Sequence, residues 1–167
     1  MCIRDRPQTK NLPYGVVGTK KFLLEVCRLT GISENILKKE FFSVNSNRSE
    51  WYSRSVDSNY LTKKRVFVFG DATHVYSASK VARDEFGFDV VGLGTYSREF
   101  AREIRELGKE FGLEAIISDD YVAVEKAIVE LQPELILGTQ MERHIAKKHN
   151  IPSVSYTHLT LPTNGCV

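Results

Sequence analysis

The chain has 167 residues, of which 42% are hydrophobic and 26% charged, and its 23 Lys and Arg residues against 21 Asp and Glu give a net charge of +2. These are ordinary values for one globular domain, and so small a net charge provides no field that would attract nucleic acid. No apolar run approaches the roughly 18 residues that a membrane span needs, and the first residues lack the pattern of a signal peptide. The composition therefore predicts a cytoplasmic protein with no nucleic-acid partner and no membrane span.

The two ends of the chain do not continue the pattern of their neighbours. Residues 1–6, MCIRDR, and residues 155–167, SYTHLTLPTNGCV, resemble translated sequencing adapters that flank fragments of metagenomic genes. We predict that both ends are artefacts and exclude them from the fold, as fusion scars are excluded; ordinary mobile termini are the alternative. The remainder divides into residues 7–50, a helical segment and loop from a preceding domain, and residues 51–154, an α/β domain.

Two helices are predicted in the first part. Lys20 to Leu29 is amphipathic, with Thr19 as its N-cap and Gly31 as a left-handed C-cap. A second helical segment, from about Glu34 to Phe42, leads into the loop VNSNRSE, whose Asn and Ser residues are typical of an exposed turn.

Cysteine use argues against a disulfide or an iron-sulfur site in this piece of sequence. Cys2 and Cys166 lie in the excluded ends, which leaves Cys27 alone. One thiol cannot form an internal disulfide or hold a cluster. Since Cys27 lies beside the apolar face of the first predicted helix, the sequence favours a small buried hydrophobic role for it.

From residue 65 onward the hydrophobic pattern alternates between strand and helix. The predicted strands are Arg65–Phe69, Asp89–Leu93, Ala115–Ser118, Leu135–Leu137 and Ile151–Val154, and the predicted helices are Thr73–Phe86, Arg98–Phe111, Tyr121–Leu131 and Gln140–His149. Continuous apolar strands joined by helices predict a parallel sheet covered on both faces. The fold class is therefore α/β, a Rossmann-like parallel sheet preceded by a short helical segment.

The strand ends carry glycines but no nucleotide-binding motif. The turn FGDATH has one glycine where the dinucleotide fingerprint needs three, GLGTYS has two, and no Gly-Lys-Ser or Gly-Lys-Thr occurs. We interpret the glycines as strand-end residues that let the backbone turn tightly: Gly70, Gly92, Gly94 and Gly138. Metal-ligand spacing is likewise missing from the histidines, which are scattered through the chain: His74, His144 and His149.

Three aspartates follow predicted strands: Asp71, Asp119 and Asp120. At the carboxyl edge of a parallel sheet such residues either cap the next helix or line a site. Capping is the favoured interpretation.

Asp57 has a different setting, because Trp51, Tyr52 and Tyr60 lie close to it in sequence. An aspartate desolvated by aromatic rings has a raised proton affinity, which a proton donor working near neutral pH requires. From the residues alone, however, an N-cap or a salt bridge with Arg54 is the stronger alternative.

Four stretches carry a family resemblance: WYSRSVDS, VFGDATH, VVGLGTYSREFAREIR and LILGTQMERHIAK. Together they resemble the B-subunit family of light-independent (dark-operative) protochlorophyllide reductases, which is nitrogenase-like. The resemblance covers roughly Leu12 to Val154.

The resemblance implies an ATP-dependent oxidoreductase that reduces the ring D double bond of protochlorophyllide to chlorophyllide a in (bacterio)chlorophyll biosynthesis. The B subunit of that family pairs with the N subunit in an N2B2 heterotetramer, and an iron-sulfur L protein hydrolyses ATP and delivers electrons. A [4Fe-4S] cluster at the N/B interface passes them to protochlorophyllide. The proton donor of the family corresponds to Asp57, and Trp51 and Ser55 would help to shape the pigment pocket.

Two features of that family fall outside this chain. Its B-subunit cluster ligand is an aspartate upstream of this region, and a pocket histidine lies in a downstream APVH motif. The resemblance therefore implies that this piece holds no metal ligand and is inactive alone. Two alternatives stay open: a subunit of another nitrogenase-like oxidoreductase with a different substrate, and a non-catalytic Rossmann-like scaffold module.

Overall fold

The computed structural model describes residue 9, residues 11–35, residue 37 and residues 60–155. None of the helices in these ranges is long and apolar enough to cross a membrane. Nearly all of the predicted terminal artefacts and most of the predicted second helix lie outside the described residues, although residues 34, 35 and 37 are helical. The prediction is wrong for Ser155, the first residue of the predicted tail, which belongs to a strand and pairs with Gly138.

Helix α1 (Gly15–Thr30) begins five residues before the predicted start. The prediction of Thr19 as the N-cap is wrong: Tyr14 holds that position without a side-chain cap, and the Thr19 hydroxyl donates to the carbonyl of Gly15 at 2.6 Å. A carboxylate from elsewhere in the fold accepts at this helix end, since the amide of Val17 donates to Glu85 Oε1 at 3.0 Å. Because Glu85 is 68 residues away from Val17 in the sequence, the residues around the start of α1 could not predict this contact.

The C-terminal end of α1 agrees with the sequence. Gly31 adopts the left-handed conformation at φ 72° and its amide donates to the carbonyl of Cys27. Cys27 itself is buried, with 6% of its surface exposed. The predicted C-cap and the predicted hydrophobic role of the thiol are both confirmed.

The residues described after position 60 form a five-stranded, fully parallel sheet, which confirms the predicted α/β class. The strands are β1 (Arg65–Gly70), β2 (Asp89–Thr95), β3 (Ile116–Ile117), β4 (Leu135–Gly138) and β5 (Ser153–Ser155), in the spatial order β3-β2-β1-β4-β5. The helices between them are α2 (Ala72–Asp84), α3 (Ala101–Phe111), α4 (Tyr121–Leu131) and α5 (Gln140–Lys148).

Strand β1 supplies the core on both faces because successive side chains alternate. Val66 and Val68 pack with residues of α2, β2 and α3, while Phe67 and Phe69 pack with residues of α4, β4 and α5. All four are at most 3% exposed. The predicted covering of both faces is therefore observed, with α2 and α3 on one side and α4 and α5 on the other.

Two predicted helices extend two or three residues beyond the observed ends, and a third, Gln140–His149, extends one residue beyond Lys148. The predicted helix Thr73–Phe86 ends at Asp84, so Phe86 lies in the following loop, 48% exposed and tilted against the ring of Phe88. The predicted helix Arg98–Phe111 begins at Ala101, and Phe100 stands at its N-cap position, 44% exposed. In both cases the four-residue spacing of apolar residues continues by chance beyond the helical backbone.

Two interior glycines of β2 have a role that differs from the predicted one. Gly92 and Gly94 are not at a tight turn but face the aromatic rings of β1: a Cβ on Gly94 would lie 2.9 Å from Cδ2 of Phe69. Gly70, in contrast, ends its strand at φ 152°, a conformation that other residues rarely adopt. The turn interpretation thus holds for Gly70 and is wrong for the glycines of β2.

Candidate functional site

The sequence-predicted site residues Trp51, Ser55 and Asp57 lie outside the described residues. Their proposed roles stay predictions. The first residue described after them, Tyr60, is 74% exposed. A turn follows, and the amide of Lys63 donates to the carbonyl of Gly87 at 2.8 Å, which holds this segment beside the loop that leads into β2.

The carboxyl edge of the sheet is the place where parallel α/β folds bind ligands. The chain runs outward from β1 to β2 and β3 and then crosses to β4 and β5, so the order of the strands reverses between β1 and β4. A crevice forms at such a reversal point. The residues that end β1, β2 and β4 define this candidate site.

Asp71, at the end of β1, is the N-cap of α2, as predicted. Its carboxylate accepts from the amide of Thr73 at 3.2 Å and from the Thr73 hydroxyl at 2.5 Å. Chiefly because of that hydroxyl bond, the pKa of Asp71 is lowered, and the nearby His74 contributes in the same direction. The carboxylate is thus ionised and already engaged by its own helix.

Of the two aspartates after β3, only one caps a helix. Asp120 accepts from the amide of Val122 at 2.9 Å and begins α4. Asp119 instead forms an exposed ion pair with Arg98, with atoms 3.3 Å apart. The capping interpretation is confirmed for Asp71 and Asp120 and is wrong for Asp119, because only one residue can occupy the N-cap of α4.

A capping box that sequence reasoning missed stands at the end of β4. The Thr139 hydroxyl accepts from the amide of Met141 at 3.2 Å, and Glu142 accepts from the amide of Thr139 at 2.8 Å. Glu142 is only 4% exposed. It lies so close to Gly138 that a Cβ added to that glycine would be 2.7 Å from the Cβ of Glu142. The order Thr-x-x-Glu before an apolar stretch is the sequence signal that identifies such a box.

Tyr96, directly after β2, lies close enough to the carboxylates of Asp71 and Glu142 for both of their charges to act on its phenol. Burial raises the pKa of its phenol, and the negative charges of Asp71 and Glu142 raise it further. The phenol therefore stays protonated well above neutral pH and can donate a hydrogen bond. Both carboxylates accept bonds from their own helix ends, so this edge offers a donor and fixed charges rather than a free general base.

An apolar groove lies beside this edge, between the first turns of α2 and α3. Its volume is about 430 Å³, and its lining includes Leu12, Ala72, Tyr76, Phe100 and Ile104. Polar groups at the groove come from the Thr73 hydroxyl and from two glutamates of α3. This volume falls within the roughly 300–1,000 Å³ of small-molecule sites.

A metal or iron-sulfur centre does not fit the side chains of the described ranges. Cys27, the one cysteine there, is buried in α1, and no three His, Cys, Asp or Glu side chains come together in these ranges. His149, at the end of α5, pairs with Glu125 at 2.8 Å instead. The side chains of this part of the chain therefore cannot hold a cluster by themselves.

The family to which the chain belongs follows from comparison with known proteins. The profile of the family described as "Nitrogenase component 1 type Oxidoreductase" matches residues 4–165. The chain therefore belongs to the nitrogenase component 1 type oxidoreductases.

Within that family the chain is similar to proteins named as the B subunit of light-independent protochlorophyllide reductase. It is 57% identical over 147 residues to that of Rubrivivax gelatinosus, 59% over 152 residues to that of Dinoroseobacter shibae, and 58% over 146 residues to that of Prochlorococcus marinus. These alignments cover 87–89% of this chain and 26–27% of the relatives. The chain thus spans about a quarter of their length, and the family resemblance predicted from sequence is confirmed.

A solved structure supports the fold. The chain titled "Nitrogenase Cp1 at pH 6.5" superposes with a TM-score of 0.64 at 23% identity, over 89% of this chain and 32% of that one. At this identity the likeness establishes the α/β fold alone.

Proposed function

We propose that this chain is part of the B subunit of a light-independent protochlorophyllide reductase. The single observation that carries the proposal is the identity of 57–59% to proteins of that name over nearly nine tenths of the chain. The membership in a family of nitrogenase-like oxidoreductases supports it. In the complete enzyme, protochlorophyllide would be reduced at ring D to chlorophyllide a, with electrons from ferredoxin.

The proposed partners are the N subunit, in an N2B2 heterotetramer, and an ATP-hydrolysing L protein. The relatives are named as one lettered subunit of a reductase, which supports a multi-subunit enzyme. A [4Fe-4S] cluster at the N/B interface would supply single electrons, and its ligands would come from parts of the protein beyond the described residues. ATP would be used by the L protein.

Asp57 is the proposed proton donor of this chain. The support is its place in WYSRSVDS, among aromatic residues that would raise its proton affinity. Trp51 would provide a flat apolar wall for a macrocycle, and Ser55 a polar contact at the rim of the same pocket. Asp57 would protonate the reduced ring from hydrogen-bond distance or through one water molecule.

The test uses the complete gene, expressed with the N and L subunits. The purified enzyme is supplied with ATP, a reductant and protochlorophyllide, and the formation of chlorophyllide is followed by absorbance. Asp57→Ala should slow turnover by about 10²- to 10⁴-fold because a positioned proton donor is lost. Assembly of the complex and binding of pigment should stay unchanged.

Asp119→Asn is the matched control, since it also removes one carboxylate but from an exposed ion pair. It should turn over at the unmodified rate. Normal turnover by Asp57→Ala would show that another group donates the proton. If the unmodified, assembled enzyme did not reduce protochlorophyllide but reduced a related substrate such as chlorophyllide, the substrate assignment itself would be wrong.

A further inference from the structure

The contact between α1 and α2 contains a hydroxyl group that has no hydrogen-bond partner among the described residues. Ser77 of α2 is 5% exposed, and its Oγ makes no hydrogen bond to any of the described residues. Two residues further along the same helix, Ser79 is fully buried and its hydroxyl donates to the carbonyl of Val75 at 2.5 Å. Buried hydroxyls are generally satisfied, as that of Ser79 is, so Ser77 requires an explanation.

The Ser77 side chain lines a small cavity between the two helices. The cavity has a volume of about 40 Å³, and its walls come from the segment Asn11–Tyr14, from α1 and from α2. One water molecule needs about 10–15 Å³ measured in this way, whereas small-molecule sites start at about 300 Å³. The size therefore suits one to three water molecules and excludes an organic ligand.

The polarity of the cavity also favours water. Besides Ser77, the polar residues in its lining include Asn11, Lys21, Lys80 and Asp84. The carbonyl oxygen of Leu12 approaches α1 so closely that a Cβ on Gly18 would be 2.9 Å from it. A cavity walled by polar groups retains water, whereas a purely apolar one of this size stays dry.

A catalytic interpretation of Ser77 is less well supported. Asp71 at the N-cap of α2 and His74 and Ser77 within the helix follow one another at intervals of three residues, in an order similar to an acid–histidine–serine triad. However, His74 Nδ1 lies 3.8 Å from Asp71 Oδ2, and Ser77 Oγ has no bond to the imidazole. A triad needs both hydrogen bonds to activate the serine.

We propose that this cavity binds one to three ordered water molecules, which connect Ser77 Oγ to polar groups of residues 11–18. These waters form a hydrogen-bonded joint, meaning a bridge that holds α1 against α2, next to the direct hydrogen bond from the Val17 amide to Glu85. Leu12 lines both this cavity and the groove at the carboxyl edge. The joint therefore also fixes one wall of that groove.

The direct test is an experimental structure of the full-length protein at a resolution that shows ordered solvent. A solvent peak in the cavity at about 2.6–3.2 Å from Ser77 Oγ is expected. The proposal is overturned if other buried solvent is visible but this cavity is empty. It is equally overturned if Ser77 is rotated to bond a backbone carbonyl.

Substitutions of the same full-length protein give an independent test. Ser77→Val should lower the melting temperature more than Ser77→Ala. The added methyl groups expel the water, and the polar groups that the water had bonded are left unsatisfied. In a dry cavity the order would be reversed, since valine would fill the space.

Ser79→Ala is the matched control: it removes a buried hydroxyl from the same helix but one that is bonded within that helix. Both Ser77 variants should speed hydrogen exchange of the α1 amides, and Ser79→Ala should leave it unchanged. Unchanged exchange in α1 for both Ser77 variants would contradict a joint at this position.

Discussion

The ring of Phe67 occupies the space in which a side chain at position 92 would begin. The two residues are paired across β1 and β2, and a Cβ on Gly92 would lie 2.7 Å from Phe67 Cδ2 and 2.6 Å from Leu131 Cδ1. Phe67 cannot move freely, because it is fully buried and stacks on Phe69 with ring centroids 6.3 Å apart. The glycine thus provides the space for a large aromatic side chain in the centre of the sheet.

Gly92→Ala should therefore destabilise the fold by about 1–3 kcal/mol, as overpacking of a core does. Phe67→Leu should reduce that cost when combined with it, which chemical denaturation of the four proteins of a double-mutant cycle would measure. Gly31→Ala is the control: its site is left-handed at φ 72° with nothing within 4 Å, so its cost is conformational. This explanation would be contradicted if Phe67→Leu also changed the loss of unfolding free energy that Gly31→Ala causes.

Periodicity predicted most of the fold because the strands and helices bury continuous apolar faces. Helix α4 has the predicted bounds, Tyr121–Leu131, and β1 is one residue longer than predicted. Two of the errors occur where a distant contact decides the local structure. The start of α1 depends on Glu85, and the role of Gly92 depends on a residue of the neighbouring strand.

The candidate site was predicted less completely than the fold. Asp71 and Asp120 could be identified because an N-cap has a local signature. Thr139 and Glu142 carry an equally local one, Thr-x-x-Glu, and could have been identified in the same way. Tyr96 could not be identified, because its environment is created by two carboxylates that follow other strands.

The capping box of α5 should behave as a coupled pair. Thr139→Ala should cost about 0.5–2 kcal/mol, since it removes the acceptor for the Met141 amide. Glu142→Ala leaves the amide of Thr139 without its acceptor and should cost about 1–3 kcal/mol. The double variant should cost less than the sum, because residues in one network are not additive.

Arg102→Ala provides the control for that cycle. Arg102 is exposed on α3, where it pairs with Glu106 of its own helix. When Arg102→Ala is combined with Thr139→Ala, the two changes in the free energy of unfolding, measured by urea denaturation, should add to within about 0.5 kcal/mol. Strict additivity of Thr139→Ala and Glu142→Ala would show that the two residues act separately.

Neighbouring aspartates before α4 should differ in their contribution to stability. Asp120→Ala removes the N-cap and should lower the free energy of unfolding by about 0.5–2 kcal/mol. Asp119→Ala removes only an exposed ion pair with Arg98 and should change it by less than about 1 kcal/mol. Thermal unfolding of the two variants under identical conditions distinguishes them. A larger loss for Asp119→Ala would reverse the assignment of the cap.

Asp71 should make the stability of the fold depend on pH in the acid range. Its pKa in the folded state is below the ordinary value of 3.8, mainly through the Thr73 hydroxyl. The folded state therefore binds this proton less readily than the unfolded chain, so its contribution is present above pH 3.8 and is lost as the pH falls through the lowered folded pKa. Asp71→Asn still caps α2 but cannot titrate, so its stability should fall less steeply in that range.

The same substitution should act on Tyr96 at high pH. Burial raises the phenol pKa first, and Asp71 and Glu142 raise it further, so removing one negative charge should shift the pKa of Tyr96 downward. Ultraviolet titration of phenolate, with Tyr96→Phe to identify the signal of this residue, measures the shift. Asp119→Asn removes a charge that does not influence Tyr96 and should leave its titration unchanged. An identical Tyr96 titration in Asp71→Asn and the unmodified protein would mean that the two side chains are too far apart to interact at the carboxyl edge.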